Sequence, residues 1–413
     1  MQFVLKWKYN NMEEKKIESI VAKEIFDLKQ KSAIEVTVTS SGVSASFTVP
    51  FEANTGVYGV HILDTKIAID KVNTVIAPAL IGKNILNQQE IDTILIALDG
   101  TKNKENLGGN AMIGVSIACA KCAAKISNME MYAYLRTLKE IKASRTVPYL
   151  YMSLVSGGTY PKDKLSFEQY LIVPIVSDPE AAFKIGVDIK NSLKEIIFYA
   201  LGSDSVLASD EGGFLPRISD VAKPFEFLSQ AILKNGQDIK VRLALRAGAT
   251  SFYQDGQYEV GGSKISKDEL MSMYGTLMEQ FNLLSIEDPF NEEDLESFAM
   301  LKTNHPKIIV TGGDITATNS IRIKEVMENR CIGAMTIKPC QAGTLSETLD
   351  TMKLARENSL ELIISGNTNE TMDTFIADLA YAFGVFGLAS GAPEIDERDV
   401  KYLRLIEINN SKK

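Results

Sequence analysis

The sequence predicts an α/β protein, an eight-stranded α/β barrel preceded by a smaller α+β domain. Three observations carry this. From about residue 146 onward, apolar stretches of four to six residues alternate with helical patterns of ten or more, the rhythm of βα units in a parallel sheet. Residues 1–140 lack that rhythm and read as a short antiparallel sheet followed by helices. Charged residues also recur just past the apolar runs, at Asp210-Glu211, Arg246, Glu287-Asp288, Asp314 and Lys338, as expected where loops build the mouth of a barrel.

The first domain, 1–140, has strand-like stretches at 16–26 and 33–39, then 43–49 after a Ser-Ser-Gly turn. A loop at 50–56 leads to helical segments near 64–75, 87–98 and 110–126. The last is rich in alanine, which permits close packing. In the second domain, 141–413, two strands at 148–155 and 170–174 come first. A helix over 179–201 then leads to a strand at 205–208, and a helix over 225–234 leads to one at 241–245. A small hairpin is expected at 252–260, and helix 267–281 precedes strand 283–287. Helices 292–301, 320–329, 345–358 and 372–383 precede strands at 308–311, 334–337, 360–364 and, short, near 387–389. The two opening strands and the units that follow are read as an eight-stranded barrel, since closure leaves no exposed edge.

Composition narrows the function. A chain of 413 residues with 45% hydrophobic side chains can bury a large core. A net charge of −9 argues against nucleic acid and anionic membrane as partners. No stretch is long and apolar enough to span a bilayer, and the N-terminal residues lack the pattern of a signal peptide, so a cytoplasmic location is expected. Cys119-Ala-Lys-Cys122 lies deep in a helical pattern, where both thiols share one face and read as small buried hydrophobes. With no G-x-G-x-x-G after a first strand and no G-x-x-x-x-G-K-[ST], no nucleotide or organic cofactor is expected. The only histidines are His61 and His305, so any metal chemistry needs oxygen ligands, which favours Mg2+ or a similar hard ion.

Glu211, Glu287 and Asp314 come from different strand ends and converge on one mouth, with Lys338 adding a cation. Each acid alone could equally cap a helix, and Lys338 could equally form a salt bridge to those acids. Asp288 reads as structural, because alternation along the strand turns it away from Glu287.

Further stretches complete a pattern. Leu98-Asp-Gly-Thr101, Asn106-Leu-Gly-Gly-Asn-Ala111, Asp210-Glu-Gly-Gly213 with Pro216, Ser285-Ile-Glu-Asp-Pro-Phe290, Gln341-Ala-Gly-Thr-Leu-Ser-Glu347, Asp373-Thr-Phe-Ile-Ala-Asp378, Ser390-Gly-Ala-Pro393 and Glu397-Arg398 together resemble the enolase (phosphopyruvate hydratase) family over almost the full length. The resemblance implies an α+β cap on an α/β barrel, commonly a homodimer, that dehydrates 2-phosphoglycerate with two Mg2+ ions, a lysine base and a glutamate acid. Glu211 matches the acid, Lys338 the base, and Glu287 and Asp314 two of three metal carboxylates.

Several family positions differ. Arg246 stands at the third metal carboxylate, and Asn54 at a loop serine that helps bind the second ion. Tyr160 replaces a substrate-pocket histidine, and a Gln-Glu pair is inverted as Glu168-Gln169; a one-residue slip along a strand turns the carboxylate the other way. Ser-His-Arg-Ser becomes Ser365-Gly366-Asn367-Thr368, and an active-site lysine becomes Ala389. A guanidinium has no lone pair for a metal, and an ion-paired lysine is a poor base. The expectation is that Arg246 pairs with Glu287 or Asp314 in place of metal, with Mg2+ binding weakened and ordinary enolase activity weak or absent. Arg246, Glu168, Tyr160 and Thr368 are the expected substrate contacts, for a small anionic carboxylate that could carry phosphate. The alternatives are a non-catalytic protein that binds a ligand or another protein, and a lyase acting on a different small carboxylate.

Overall fold

The computed structural model describes residues 15–50, 56–158 and 165–412. These divide into two compact units, one built from residues 15–50, 60–139 and 339–349, the other from 56–59, 140–158, 165–338 and 350–412.

In the first unit, β1 (Ile17–Phe26), β2 (Ser32–Ser40) and β3 (Val43–Val49) form an antiparallel sheet in that order. The β2–β3 turn consists of Ser41 and Gly42, both with positive φ, the backbone that a two-residue hairpin requires. Val36, Val38, Ala45 and Phe47 alternate inward. Helices α1 (Thr65–Lys71), α2 (Gln88–Asp99), α3 (Gly109–Ile126) and α4 (Met131–Leu138) follow, the last not predicted. The small residues of α3 are almost all buried. Cys119 and Cys122 are among them, reduced and inaccessible, and burial pushes the Cys119 thiol well up. Buried Asp92 on α2 accepts hydrogen bonds from Ser116 Oγ (2.5 Å), Ser346 Oγ (2.6 Å) and the Ser346 backbone N–H (2.9 Å). That anchorage explains why residues 339–349 group with this unit.

The second unit is a closed barrel of β4 (Tyr149–Ser156), β5 (Gln169–Pro174), β6 (Val241–Arg246), β10 (Leu283–Glu287), β11 (Ile309–Gly312), β12 (Ala334–Ile337), β13 (Glu361–Ser365) and β14 (Gly387–Ala389). Between β6 and β10 lies a small sheet of β7 (Tyr253–Gln254), β8 (Gln257–Val260) and β9 (Ser263–Ile265). Tyr151, Leu171, Val173, Ala244 and Ile363 pack inside the barrel.

Two expectations are corrected. Residues 205–208 form no barrel strand: Ser203–Val206 is a turn of 3-10 helix, Leu207 is exposed, and Ala208 makes only an isolated bridge to Phe214. With it excluded, eight barrel strands remain. The sheet is also not wholly parallel, since β5 runs antiparallel to both β4 and β6. Only residues 157–168 separate β4 from β5, and an antiparallel neighbour needs no crossover helix.

The barrel's outer helices include α5 (Pro179–Leu201), α6 (Lys223–Lys234), α7 (Lys267–Phe281), α8 (Leu295–Asn304), α9 (Arg322–Glu328), α10 (Leu345–Glu357), α11 (Phe375–Ala382) and α12 (Asp396–Asn410). Helix α8 starts three residues later than the apolar pattern suggests because Asp294 caps it, accepting from Ser297 N–H at 3.1 Å. After α11 the chain turns at Gly384, with φ +52° and a Cβ position 2.1 Å from the Arg145 carbonyl oxygen. Gly384→Ala is expected to cost roughly 1–3 kcal/mol, combining left-handed strain with a backbone collision, read as a lower urea midpoint at unchanged slope.

Candidate active site

The charged strand ends meet inside the second unit. Arg246 ends β6 and lies in register with Glu287, the last residue of β10, and with Gln169, the first of β5. Residues opposite one another across a ladder share a face, so β6 and β10 present Arg246 and Glu287 to the same mouth. The guanidinium is engaged on all three nitrogens. Nε donates to Glu168 Oε2 at 2.8 Å, and Nη1 and Nη2 lie 3.3 and 3.5 Å from Glu287 Oε1 and Asp314 Oδ1. The pairing expected with Glu287 or Asp314 therefore involves both, and the shortest contact is to a third acid.

Glu168 departs from expectation. The inverted Glu-Gln order does not turn it from the mouth, because it precedes the first residue of β5 and escapes the strand's alternation. Both members of the pair line the same cavity, Glu168 meeting Arg246 and Gln169 donating from Nε2 to Glu211 Oε2 at 2.5 Å. Glu211 itself sits in the turn before Phe214 and not at a strand end.

Burial pushes the Glu168 carboxyl up, with Arg246 pulling the other way. Burial opposes the charge on Arg246, but Glu168, Glu287 and Asp314 together hold its pKa well above the usual value. Asp288, 2% exposed, accepts from the Gly313 and Asp314 backbone N–H groups at 2.9 Å each. Burial, reinforced by Asp314 and Glu287, pushes its carboxyl well up.

Lys338 follows β12, its backbone N–H bonded to Thr318 Oγ1 at 2.9 Å. Among the described residues its ammonium has no carboxylate within 4.0 Å, so the salt bridge weighed for it is not formed there. Thr368 lies exposed at the rim, its carbonyl accepting from Arg398 Nη2 at 2.6 Å. Tyr160 and Asn54 lie outside the described residues. The space left at the mouth is a cavity of about 50 Å3 lined by Ser153, Gln169, Glu211, Lys338, Asn367 and Arg398, among others.

Two of these escaped the reading of strand ends. Ser153 points inward from the middle of β4, and its buried hydroxyl has no hydrogen-bond partner among the described residues. Arg398 comes from α12 and donates to the carbonyls of Asn367 (2.7 Å) and Ser390 (3.2 Å) as well as Thr368. In the sequence it belongs to Glu397-Arg398, a pair in the family resemblance, and it lies in an acidic first turn, Asp396-Glu-Arg-Asp399.

Comparison with known proteins decides the family. Residues 17–135 match the description "Enolase, N-terminal domain", and residues 144–412 match "Enolase, C-terminal TIM barrel domain". The chain belongs to the enolase family. It is 36% identical to the enolase of Methanocaldococcus jannaschii over 404 residues, covering 95% of this chain and 94% of that protein. It is 35% identical to the enolase of Sulfurisphaera tokodaii over 402 residues, covering 96% of each. The enolase of Methanococcus aeolicus is 34% identical over 402 residues, covering 94% of each.

The enolase family generally uses Mg2+, and this mouth does not suit such an ion. Its acids converge on Arg246, whose guanidinium has no lone pair to donate. Among the described residues no three Asp, Glu, His or Cys side chains are placed to hold a metal.

Proposed function

We propose that this enolase-family chain has lost ordinary phosphopyruvate hydratase activity, the Mg2+-dependent conversion of 2-phosphoglycerate to phosphoenolpyruvate and water, and keeps the barrel with an altered charged mouth. One observation carries the reading, the engagement of all three Arg246 nitrogens by Glu168, Glu287 and Asp314. Proton abstraction beside a carboxylate concentrates negative charge, which enolase-superfamily enzymes stabilise with one or two Mg2+ ions. A guanidinium already neutralised by three acids is a weak substitute. The phosphate side is depleted as well: Gly366, Asn367 and Ala389 stand where the family has histidine, arginine and lysine, and the donors of Arg398 are engaged by carbonyls.

In this reading Glu211 and Lys338 keep the places of acid and base, and Glu287 and Asp314 those of metal carboxylates. A coupled phosphoenolpyruvate assay with saturating Mg2+ is expected to give a turnover at least about 10³-fold below an ordinary enzyme rate; a value on the order of 10 to 10² per second overturns the proposal. A homodimer in the cytoplasm goes with the family reading. It is supported by the resemblance alone.

A second reading has its own support. Lys338 borders a cavity of about 50 Å3 and has no acid within 4.0 Å among the described residues, which favours a small anionic carboxylate as ligand, without phosphate and without metal. A melting-temperature screen against two- to four-carbon acids in EDTA is expected to show stabilisation that Lys338→Met removes. Stabilisation only by phosphorylated acids together with Mg2+ restores the ordinary reaction.

A further inference from the structure

The contacts of Arg246 are unequal. Only Glu168 meets it in hydrogen-bond geometry, at 2.8 Å, whereas Glu287 and Asp314 are ion pairs at 3.3 and 3.5 Å. Glu287 Oε1 is buried and has no hydrogen-bond partner among the described residues, so its 3.3 Å approach leaves acceptor capacity unused. The chain after β6 is shaped around Glu168. Gly248 has φ +61°, and a Cβ there would fall 2.2 Å from the Glu168 carboxyl carbon and 2.4 Å from its Oε1. The Glu168 backbone N–H is bonded to the Ala247 carbonyl at 3.3 Å, which ties the acid to the same turn.

We propose that Glu168 is the positioning residue that locks Arg246 into the mouth, and that without the guanidinium Glu168, Glu287 and Asp314 form a three-carboxylate site for a hard divalent cation. Glu168 would then serve as a ligand from the start of β5, while position 246, where the resemblance puts a metal carboxylate, contributes nothing. This rests on the reading that Arg246 displaces metal chemistry. Three carboxylate oxygens already surround the volume of one guanidinium, and a hard cation takes oxygen ligands at about 2.0–2.6 Å. To reach such distances Glu168 and Glu287, whose side chains have three torsions, have to turn inward toward Asp314 over the space that the guanidinium vacates.

The test compares the full-length chain with Glu168→Gln, Arg246→Gln and the double variant, using Mn2+ alone as probe in calorimetry and electron paramagnetic resonance. The unaltered protein and Glu168→Gln are expected to bind no Mn2+ at the mouth at millimolar concentration. Arg246→Gln is expected to bind it, and adding Glu168→Gln to weaken that binding at least tenfold, about 1.4 kcal/mol. Equal affinity in Arg246→Gln and the double variant overturns the proposal, as does absence of binding in Arg246→Gln. Urea midpoints give a readout that needs no metal: Glu168→Gln should lower the midpoint clearly when Arg246 is present and little when it is Gln. Equal losses in both backgrounds also overturn the lock. Ordinary enolase turnover in the unaltered protein would instead overturn the proposed function and leave the coupling between 168 and 246 to be judged on these measurements.

Discussion

Lys401→Met is expected to lower the unfolding free energy by about 3–5 kcal/mol, because it strands a buried carboxylate. Lys401 and Glu370 are 1% and 3% exposed at the side chain and pair at 2.9 Å. The ammonium also donates to the Thr371 and Glu397 carbonyls, and Glu370 accepts from the Asn367 backbone N–H at 2.8 Å. The pair therefore braces the 365–371 loop, the one in which Gly366 and Asn367 replace family residues. Adding Glu370→Met should recover much of the loss, since replacing both partners removes the uncompensated charge.

The pH dependence of that loss has a definite sign. Burial alone would raise the Glu370 carboxyl, but Lys401 and Arg398 overcome it and hold the pKa below the ordinary value. A depressed carboxyl contributes stability above its unfolded pKa, about 4.3, and loses it as pH falls through the lower folded value. The gap between the unaltered protein and Lys401→Met should be full at neutral pH and close in acid. Paired urea titrations at about pH 7 and below about pH 4 check this, and an unchanged gap at the lower pH would show that lost packing, not charge, sets the cost.

Arg246→Gln is the second large effect, again about 3–5 kcal/mol at neutral pH without metal. It leaves Glu168, Glu287 and Asp314 facing one another around an uncharged amide. In the unaltered protein the Glu168 and Asp288 carboxyls are pushed up, chiefly by burial. An acid raised in the folded state binds protons there more readily than in the unfolded chain. It therefore adds stability as pH falls from the raised value toward the ordinary carboxylate range near about 4, and loses it as pH rises. Removing the guanidinium should steepen this trend, so that the variant melts lowest near about pH 8 and recovers toward about pH 5. Mn2+ should raise its melting temperature at neutral pH, since a ligand held by the folded state adds stability by mass action. A variant as stable as the unaltered protein in mild alkali would mean that the three acids do not depend on Arg246.

Much of the fold was legible in the residues. Helix and strand alternation located the eight barrel strands, because β10 through β14 are short apolar runs separated by amphipathic helices, and both features are local. The exceptions have local causes. Residues 205–208 are apolar enough to suggest a strand, but Leu207 is exposed and the pairing stops at an isolated bridge between Ala208 and Phe214. The direction of β5 is set by how its ends connect, which a strand's composition does not encode.

The site divided differently. The sequence by itself determined that Arg246, Glu287, Asp314 and Lys338 stand at or just past strand ends, though not that Glu211 lies in a turn, and that Arg246 has the wrong chemistry for a metal ligand, because these follow from residue type and from a pattern repeated along the chain. Only the tertiary structure decided who meets whom. The inverted Glu168-Gln169 pair looked like a carboxylate turned away, yet Glu168 lies outside the regular strand and reaches Arg246 first, ahead of the two acids that the motif pointed to. Ser153 enters the mouth from mid-strand, where no local pattern distinguishes it, and Arg398 enters from a helix, where the Glu397-Arg398 pair does not say which groups it meets. Contacts of this kind depend on backbone turns such as Gly248 and on packing between residues 78 positions apart in sequence, and long-range proximity is a property of the folded chain.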